Sequence, residues 1–422
     1  MLISNPHRRE LARYFHIDAP EGDLEQLRTD LAANGAVEAA YIKPPAEPAL
    51  PGPVSDLVAP KDTATPDFVS RQKYLDPAPV GIDARYAWTL RGGKGDGINV
   101  TDCEWNWNLK HEDLATQIKG VVIGSIDPND NDDRHGTCVA GVLVGNENAF
   151  GITGIAPKAM VGYAVFTDND PKVTSTVIIQ AADLLSSGDV LILEIHRPGP
   201  RTPNPKQGQK GYIPIEWWAD DFRAIAYASS KGIVVVEAAG NGGENLDDPV
   251  YNTPLEKFPN DWRNPFSDPT RASGAILVGA GMPPPGTHGR TKDEFWGFGE
   301  TYIDRVRCVF SNYGNRVDCQ GWGYEVTTLS LGDLYPGQEN KTDPAYHNRL
   351  YTDNFGGTSS ASPIIAGAVV CTQGALRAAD GICANYLINL LFCQDLFPDS
   401  LLVHKEGTGP IIMLLIPNRP RT

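Results

Sequence analysis

The chain has 422 residues, 41% hydrophobic and 21% charged, enough to bury one large core with a smaller unit beside it. A formal net charge of -16 at pH 7 excludes the basic surface that phosphate backbones demand, so nucleic acid is not an expected partner. No run approaches the roughly 18 consecutive apolar residues of a membrane helix, so no membrane partner is expected either.

In chain order, residues 11–17 read as a strand, 23–33 as a helix and 36–42 as a second strand, which makes residues 1–43 a small α+β segment. Residues 44–69 are rich in Pro and Ala and read as an extended linker, the place where a protease would clip. From residue 70 to 422 apolar strands alternate with helical stretches, with strand candidates at 98–101, 121–123, 160–166, 190–195, 233–236 and 275–278. Near-continuous apolar runs of this length suit a parallel sheet covered on both faces, hence an α/β fold. Between Gly243 and Phe355 the text is rich in Pro, Trp and Asn and reads as surface loops around a cleft. Seven cysteines leave one odd; Cys308 and Cys319 flank a hairpin-like segment where a disulfide and two buried thiols fit equally.

Four segments carry chemistry. Gly357-Thr358-Ser359-Ser360-Ala361-Ser362-Pro363 puts a serine at the head of an apolar helix, whose unpaired N–H groups suit a nucleophile that creates an oxyanion. Pro363 fits a first helical turn. His135-Gly136-Thr137 heads a second small-residue helix. Asp102 closes the strand that follows the turn Gly92-Gly93-Lys94-Gly95-Asp96-Gly97, at the edge where open parallel sheets gather ligands. Ile233 to Gly242 is a buried strand running into a turn that displays Asn241, an amide donor of the kind a tetrahedral oxyanion needs. Each residue alone has a plain structural reading: small packing for Ser359, a cap for His135, turn formers for Asp102 and Asn241. Their joint order and context favour catalysis.

That order, Asp102, His135, Ser359, resembles the subtilisin-type serine proteases (subtilases) and differs from chymotrypsin and the α/β-hydrolases. The segment Gly151-Ile152-Thr153-Gly154-Ile155-Ala156-Pro157 follows His135 as it does in that family. The resemblance implies a three-layer α/β/α sandwich with a mainly parallel central sheet and a serine endopeptidase acting on protein or peptide substrates. Ser359 would attack, His135 act as general base, Asp102 orient the imidazole, and Asn241 with the Ser359 N–H hold the oxyanion. It also implies a substrate cleft lined by Glu194, Ile195, His196, Ala238, Ala239 and Gly240. In that cleft Glu194-Ile195-His196-Arg197-Pro198 departs from the family's usual Ser-x-Gly. A structural Ca2+ site is implied at Asn146, Phe150 and Ile152 (carbonyls), Asn148, Asp113 and Gln72, with no organic cofactor. Residues 1–43 resemble the closing half of an inhibitory prodomain, which implies contact between that segment and its own catalytic domain.

Other expectations complete the reading. His111 lies outside these motifs and reads as surface structure, and Asp247 and Asp248 read as a solvated acidic loop or a basic-side-chain selector. Cys103 and Cys138 adjoin the motifs, so a thiol is expected near the imidazole, while Cys371, Cys383 and Cys393 read as packing. The family implies secretion, but residues 1–13 hold no apolar signal core, which leaves a cytoplasmic location as the alternative. A catalytically silent, peptide-binding version of the fold is the alternative function. An esterase of another fold fails on Ala361 and on the residue order, and a sedolisin needs a glutamate where His135 stands.

Overall fold

The computed structural model describes residues 5–17, 19–49, 64–114, 118–126, 133–166, 174–203, 208–254, 258–267, 272–335 and 346–380. The N-terminal segment contributes α1 (Pro6–Leu11), α2 (Leu24–Ala33) and the two-residue strand β1 (Glu47–Pro48). Then come α3 (Ala84–Ala87), β2 (Asn99–Glu104), β3 (Ile118–Ile123), α4 (Arg134–Val144), β4 (Met160–Val165), α5 (Thr174–Leu184), β5 (Val190–Leu193) and β6 (Ile195–Pro198). The remainder holds β7 (Tyr212–Pro214), α6 (Ala219–Ser230), β8 (Val234–Ala238), β9 (Ile276–Gly281), β10 (Cys319–Trp322), β11 (Val326–Leu329), β12 (Tyr351–Phe355) and α7 (Thr358–Asp380).

The apolar runs read from the sequence become β2, β3, β4, β5, β8 and β9. With β10 they form a seven-stranded sheet in the order β10-β9-β8-β5-β2-β4-β3, every neighbouring pair parallel. Such a sheet must be covered on both sides. Val100, Ile192, Val236 and Val278 point into one core with α4 and α7. Cys103, Leu191, Leu193 and Val235 point into the other with α5 and α6. Strand alternation of period two thus produces the three-layer α/β/α sandwich. By length and composition α7 (Thr358–Ala379) could cross a membrane, but most of it is buried as the central core helix.

The N-terminal segment departs from expectation. Leu11 ends a helix rather than opening a strand, because Asn5 caps α1 by accepting from the His7 and Arg8 N–H groups, with Pro6 in the first turn. The helix expected at 23–33 is α2. Residues 36–42 form no strand, and no neighbouring strand pairs with them. The segment is tied to the main body through Arg8–Asp183 at 2.5 Å and Asn5 Nδ2 donating to Ser230 Oγ at 3.1 Å. Cys308 and Cys319 are free, buried thiols. Cys383 and Cys393 lie outside the described residues.

Candidate active site

On β2, Asp102 and Glu104 share one sheet face and Cys103 takes the other. Glu104 Oε1 accepts a short hydrogen bond from His135 Nδ1, both side chains being almost wholly buried. Asp102 instead receives Trp107 Nε1 on Oδ2 at 2.8 Å. Its other oxygen has no hydrogen-bond partner among the described residues. Burial, and then the Glu104 charge beside it, push the Asp102 carboxyl well above the usual range. His135 is the second residue of α4, and Gly136 lets that helix come close. A Cβ there would lie 2.4 Å from Asn106 O and 2.6 Å from Trp107 Nε1. The Phe355 ring closes the other side of the imidazole, edge-on at 5.8 Å.

Ser359 is the second residue of α7 and fully buried. The residue before it is tied to the oxyanion-type turn: Thr358 N and Oγ1 each donate to Asn241 Oδ1 at 3.0 Å, and Gly240 N donates to Thr358 Oγ1 at 3.2 Å. Gly240 takes φ 88°, which favours glycine in this turn. Beneath the turn, His196 Nδ1 accepts the Asn241 N–H at 3.1 Å, so that nitrogen carries no proton. Burial, with His135 as a second cause, holds the His196 imidazole down at about 3. Asn241 Nδ2 donates to Gln209 Oε1 at 3.2 Å, and Gln209 Nε2 to Pro48 O at 2.7 Å.

Pro48 belongs to an extended segment laid on the site. β1 runs antiparallel to β6, with Glu47 opposite His196 and Pro48 opposite Ile195. The next residue, Ala49, is fully buried and its N–H reaches Glu194 O at 3.4 Å. Glu47 accepts from Tyr212 OH at 2.8 Å, and Lys43 Nζ meets Asp220 Oδ2 at 2.5 Å and Asp221 Oδ1 at 2.8 Å. This is strand addition at a sheet edge, the way an extended peptide is commonly held.

The structure therefore brings Ser359, His135, Asn241 and Glu194 to the same sheet edge, but it sets Glu104 rather than Asp102 against the imidazole. The signal for Glu104 was available, since it stands two residues after Asp102 on a strand and must share its face. Glu194 turns its carboxyl to Ser362 Oγ, at 2.7 and 2.9 Å, on the helix of Ser359. Ile195, Ala238 and Ala239 are fully buried. His111 is a correction: it is buried, not surface, with Nε2 at 2.9 Å from Leu350 O, and burial holds it down at about 4. Asp247 is exposed and accepts the Asn315 N–H, and Asp248 accepts from Arg201 and the Val250 N–H. Cys103 lies on the far side of the sheet, and the Cys138 thiol donates to Leu329 O.

Around Asp113 the loop expected for calcium does gather. Oδ1 takes Asn148 Nδ2 at 2.6 Å and Oδ2 takes the Ile152 N–H at 2.8 Å; Asn146 N donates to Asp113 O at 2.8 Å, and Phe150 N to Asn148 Oδ1 at 2.9 Å. Burial, opposed by the Ile152 N–H and the Asn148 amide, pushes the Asp113 carboxyl up to about 7. Asp113 and Asn148 offer hard oxygen donors, but each of these oxygens already accepts an N–H, as does Gln72 Oε1 from Thr153 at 2.9 Å, so a cation would have to displace those bonds.

The subtilase family model matches residues 95–380, and the chain belongs to that family. It is similar to the extracellular serine protease of Aeromonas sobria, 27% identical over 327 residues that cover 70% of this chain and 48% of that protein. It is also similar to a calcium-dependent protease of Nostoc sp., 28% identical over 326 residues, 71% of this chain and 42% of that one. Among solved structures, the Aeromonas sobria serine protease in complex with its chaperone superposes with a TM-score of 0.50 at 21% identity, covering 79% of this chain and 57% of that chain. The chain spans about half the length of these curated relatives.

Proposed function

We propose that the protein is a serine endopeptidase in which Ser359 is the nucleophile, His135 the general base and Glu104 the carboxylate that orients it. Glu104 accepts the Nδ1–H hydrogen bond, which fixes the tautomer and leaves Nε2 to take the hydroxyl proton as Ser359 Oγ attacks the peptide carbonyl. The imidazolium then gives that proton to the leaving amine, and water repeats the cycle on the acyl-enzyme. Asn241 Nδ2 and the Ser359 N–H at the head of α7 hold the oxyanion, the substrate carbonyl replacing Gln209 Oε1 on that amide. Asp102, bound by Trp107 Nε1, lies on the same face of β2 as Glu104 and takes no proton in this scheme.

The observation that carries this reading is the pairing of Glu47–Ala49 along β6, with Gln209 bridging Pro48 O to the Asn241 amide. It supports a site built for extended peptides, and self-cleavage is expected within residues 44–69. Mass spectrometry of the wild type beside Ser359→Ala tests it: a new N-terminus within residues 44–69 is expected only in the wild type. An intact wild-type chain without peptidase activity would sink the proposal. We further propose a Ca2+ ion held by Asp113, Asn148 and the carbonyls of Asn146, Phe150 and Ile152, which stabilises the loop behind α4. The calcium-dependent relative supports this, and the extracellular one supports secretion.

A further inference from the structure

Glu194 stands between β5 and β6, fully buried, and the chemistry above makes no use of it. Ser362 Oγ lies 2.7 and 2.9 Å from its two carboxyl oxygens and 2.8 Å from Thr358 O, one turn back in α7. A serine has one hydroxyl proton for these three oxygens. If it donates to the helical carbonyl, the usual target of a helical serine, the close contact to Glu194 requires the carboxyl to donate in turn. Ser359 Oγ forms no hydrogen bond of ordinary geometry among the described residues, yet it is near enough to favour the ionised form of Glu194.

The surrounding charges oppose that ionised form. Asp102 and Glu104 face Glu194 from β2, and Ser359 and Ser362 face it from α7. Two residues along its own chain, His196 is neutral under the oxyanion turn. On β8, Glu237 pairs in register with Leu193, which belongs to the core on the other side of the sheet, and there it meets the Glu216 N–H. No lysine or arginine pairs with Glu194 among the described residues.

We infer that Glu194 is kept as a neutral carboxylic acid that positions Ser359 through Ser362 and Thr358, so that turnover fails when Glu194 ionises. Burial, followed by the Glu104 and Asp102 charges, moves its titration in the required direction, well above the usual carboxylate range. An ionised carboxylate there would put a negative charge under the head of α7, where the oxyanion develops, and so oppose turnover.

The turnover half of this inference rests on the peptidase reading; the charge of Glu194 is testable without it. In the Ser359→Ala background, melting of Glu194 and Glu194→Gln proteins is compared from pH 4 to 9. A carboxyl that keeps its proton when folded, while the unfolded one loses it near 4.3, costs stability as pH rises. The Gln variant should therefore gain on its parent progressively above that pH. A pH-independent difference, or a gain by the parent, overturns the neutral acid. In the active enzyme, Glu194→Gln should keep kcat/KM within about fivefold at pH 6 and lose the alkaline fall of the wild type. Ser362→Ala should lower kcat without raising KM. An unchanged alkaline limb in Glu194→Gln, or its inactivity at every pH with an intact melt, overturns the positioning role. A wild type without turnover or reaction of Ser359 with a fluorophosphonate overturns the peptidase reading, while the melts still decide the carboxyl's charge.

Discussion

Exchanging one carboxyl at a time on β2 separates two accounts of the general base. The Glu104 and His135 side chains are 1% and 4% exposed, so their pair works in a desolvated space. When His135 becomes imidazolium, an adjacent charge about 4 Å away at an effective dielectric near 20 stabilises it by about 4 kcal/mol, roughly 10³ in rate. Glu104→Gln removes that charge, and its NH2 group also favours the wrong imidazole tautomer, which raises the loss in kcat toward about 10⁴. Asp102→Asn keeps an oxygen for Trp107 Nε1 and replaces a carboxyl already biased to neutrality, so its cost is about 1 kcal/mol, tenfold or less. Hydrolysis of a chromogenic peptide, with a thermal melt to confirm folding, measures both. A near-normal Glu104→Gln enzyme beside a dead Asp102→Asn enzyme would refute the reasoning and return the orienting role to Asp102.

Asn241→Ala should lower kcat by about 10² to 10³ with little change in KM, the magnitude known for one such donor in subtilisin itself; an unchanged kcat removes Asn241 from the oxyanion site. His196 gives an acid-side prediction. Its folded imidazole stays neutral down to about 3 while the unfolded one charges near 6.5, so stability should fall as pH drops through that window, by at most about 5 kcal/mol. Urea melts of the Ser359→Ala protein at pH 7 and pH 4 should show this, with a shallower fall in His196→Asn; equal slopes would discard it. Chelation with EDTA should lower the melting temperature and added Ca2+ restore it, whereas an indifferent melt would end the calcium proposal.

The parallel sheet was legible because its strands are buried on both faces and so read as unbroken apolar runs. The helix starts at His135 and Ser359 were legible because small residues must follow a side chain placed so close to neighbouring backbone, as Gly136 demonstrates against Asn106 and Trp107. What escaped depends on contacts distant in sequence. Glu104 was overlooked in favour of a familiar residue, although strand periodicity puts both carboxyls on one face. The strand expected at residues 11–17 failed at its start, where α1, capped by Asn5, takes Leu11, and residues 36–42 have no strand to pair with. Docking of β1 on β6 and the seat of Lys43 between Asp220 and Asp221 are tertiary facts with no local signature.

The most direct test of the His135–Glu104 pair as the activator of Ser359 is the rate of fluorophosphonate labelling, with the adduct mapped by mass spectrometry. Rapid modification of Ser359 in the wild type, and modification slower by orders of magnitude in folded Glu104→Gln, is the expected result. Equal rates in the two proteins, or a wild-type adduct on any other residue, would contradict it.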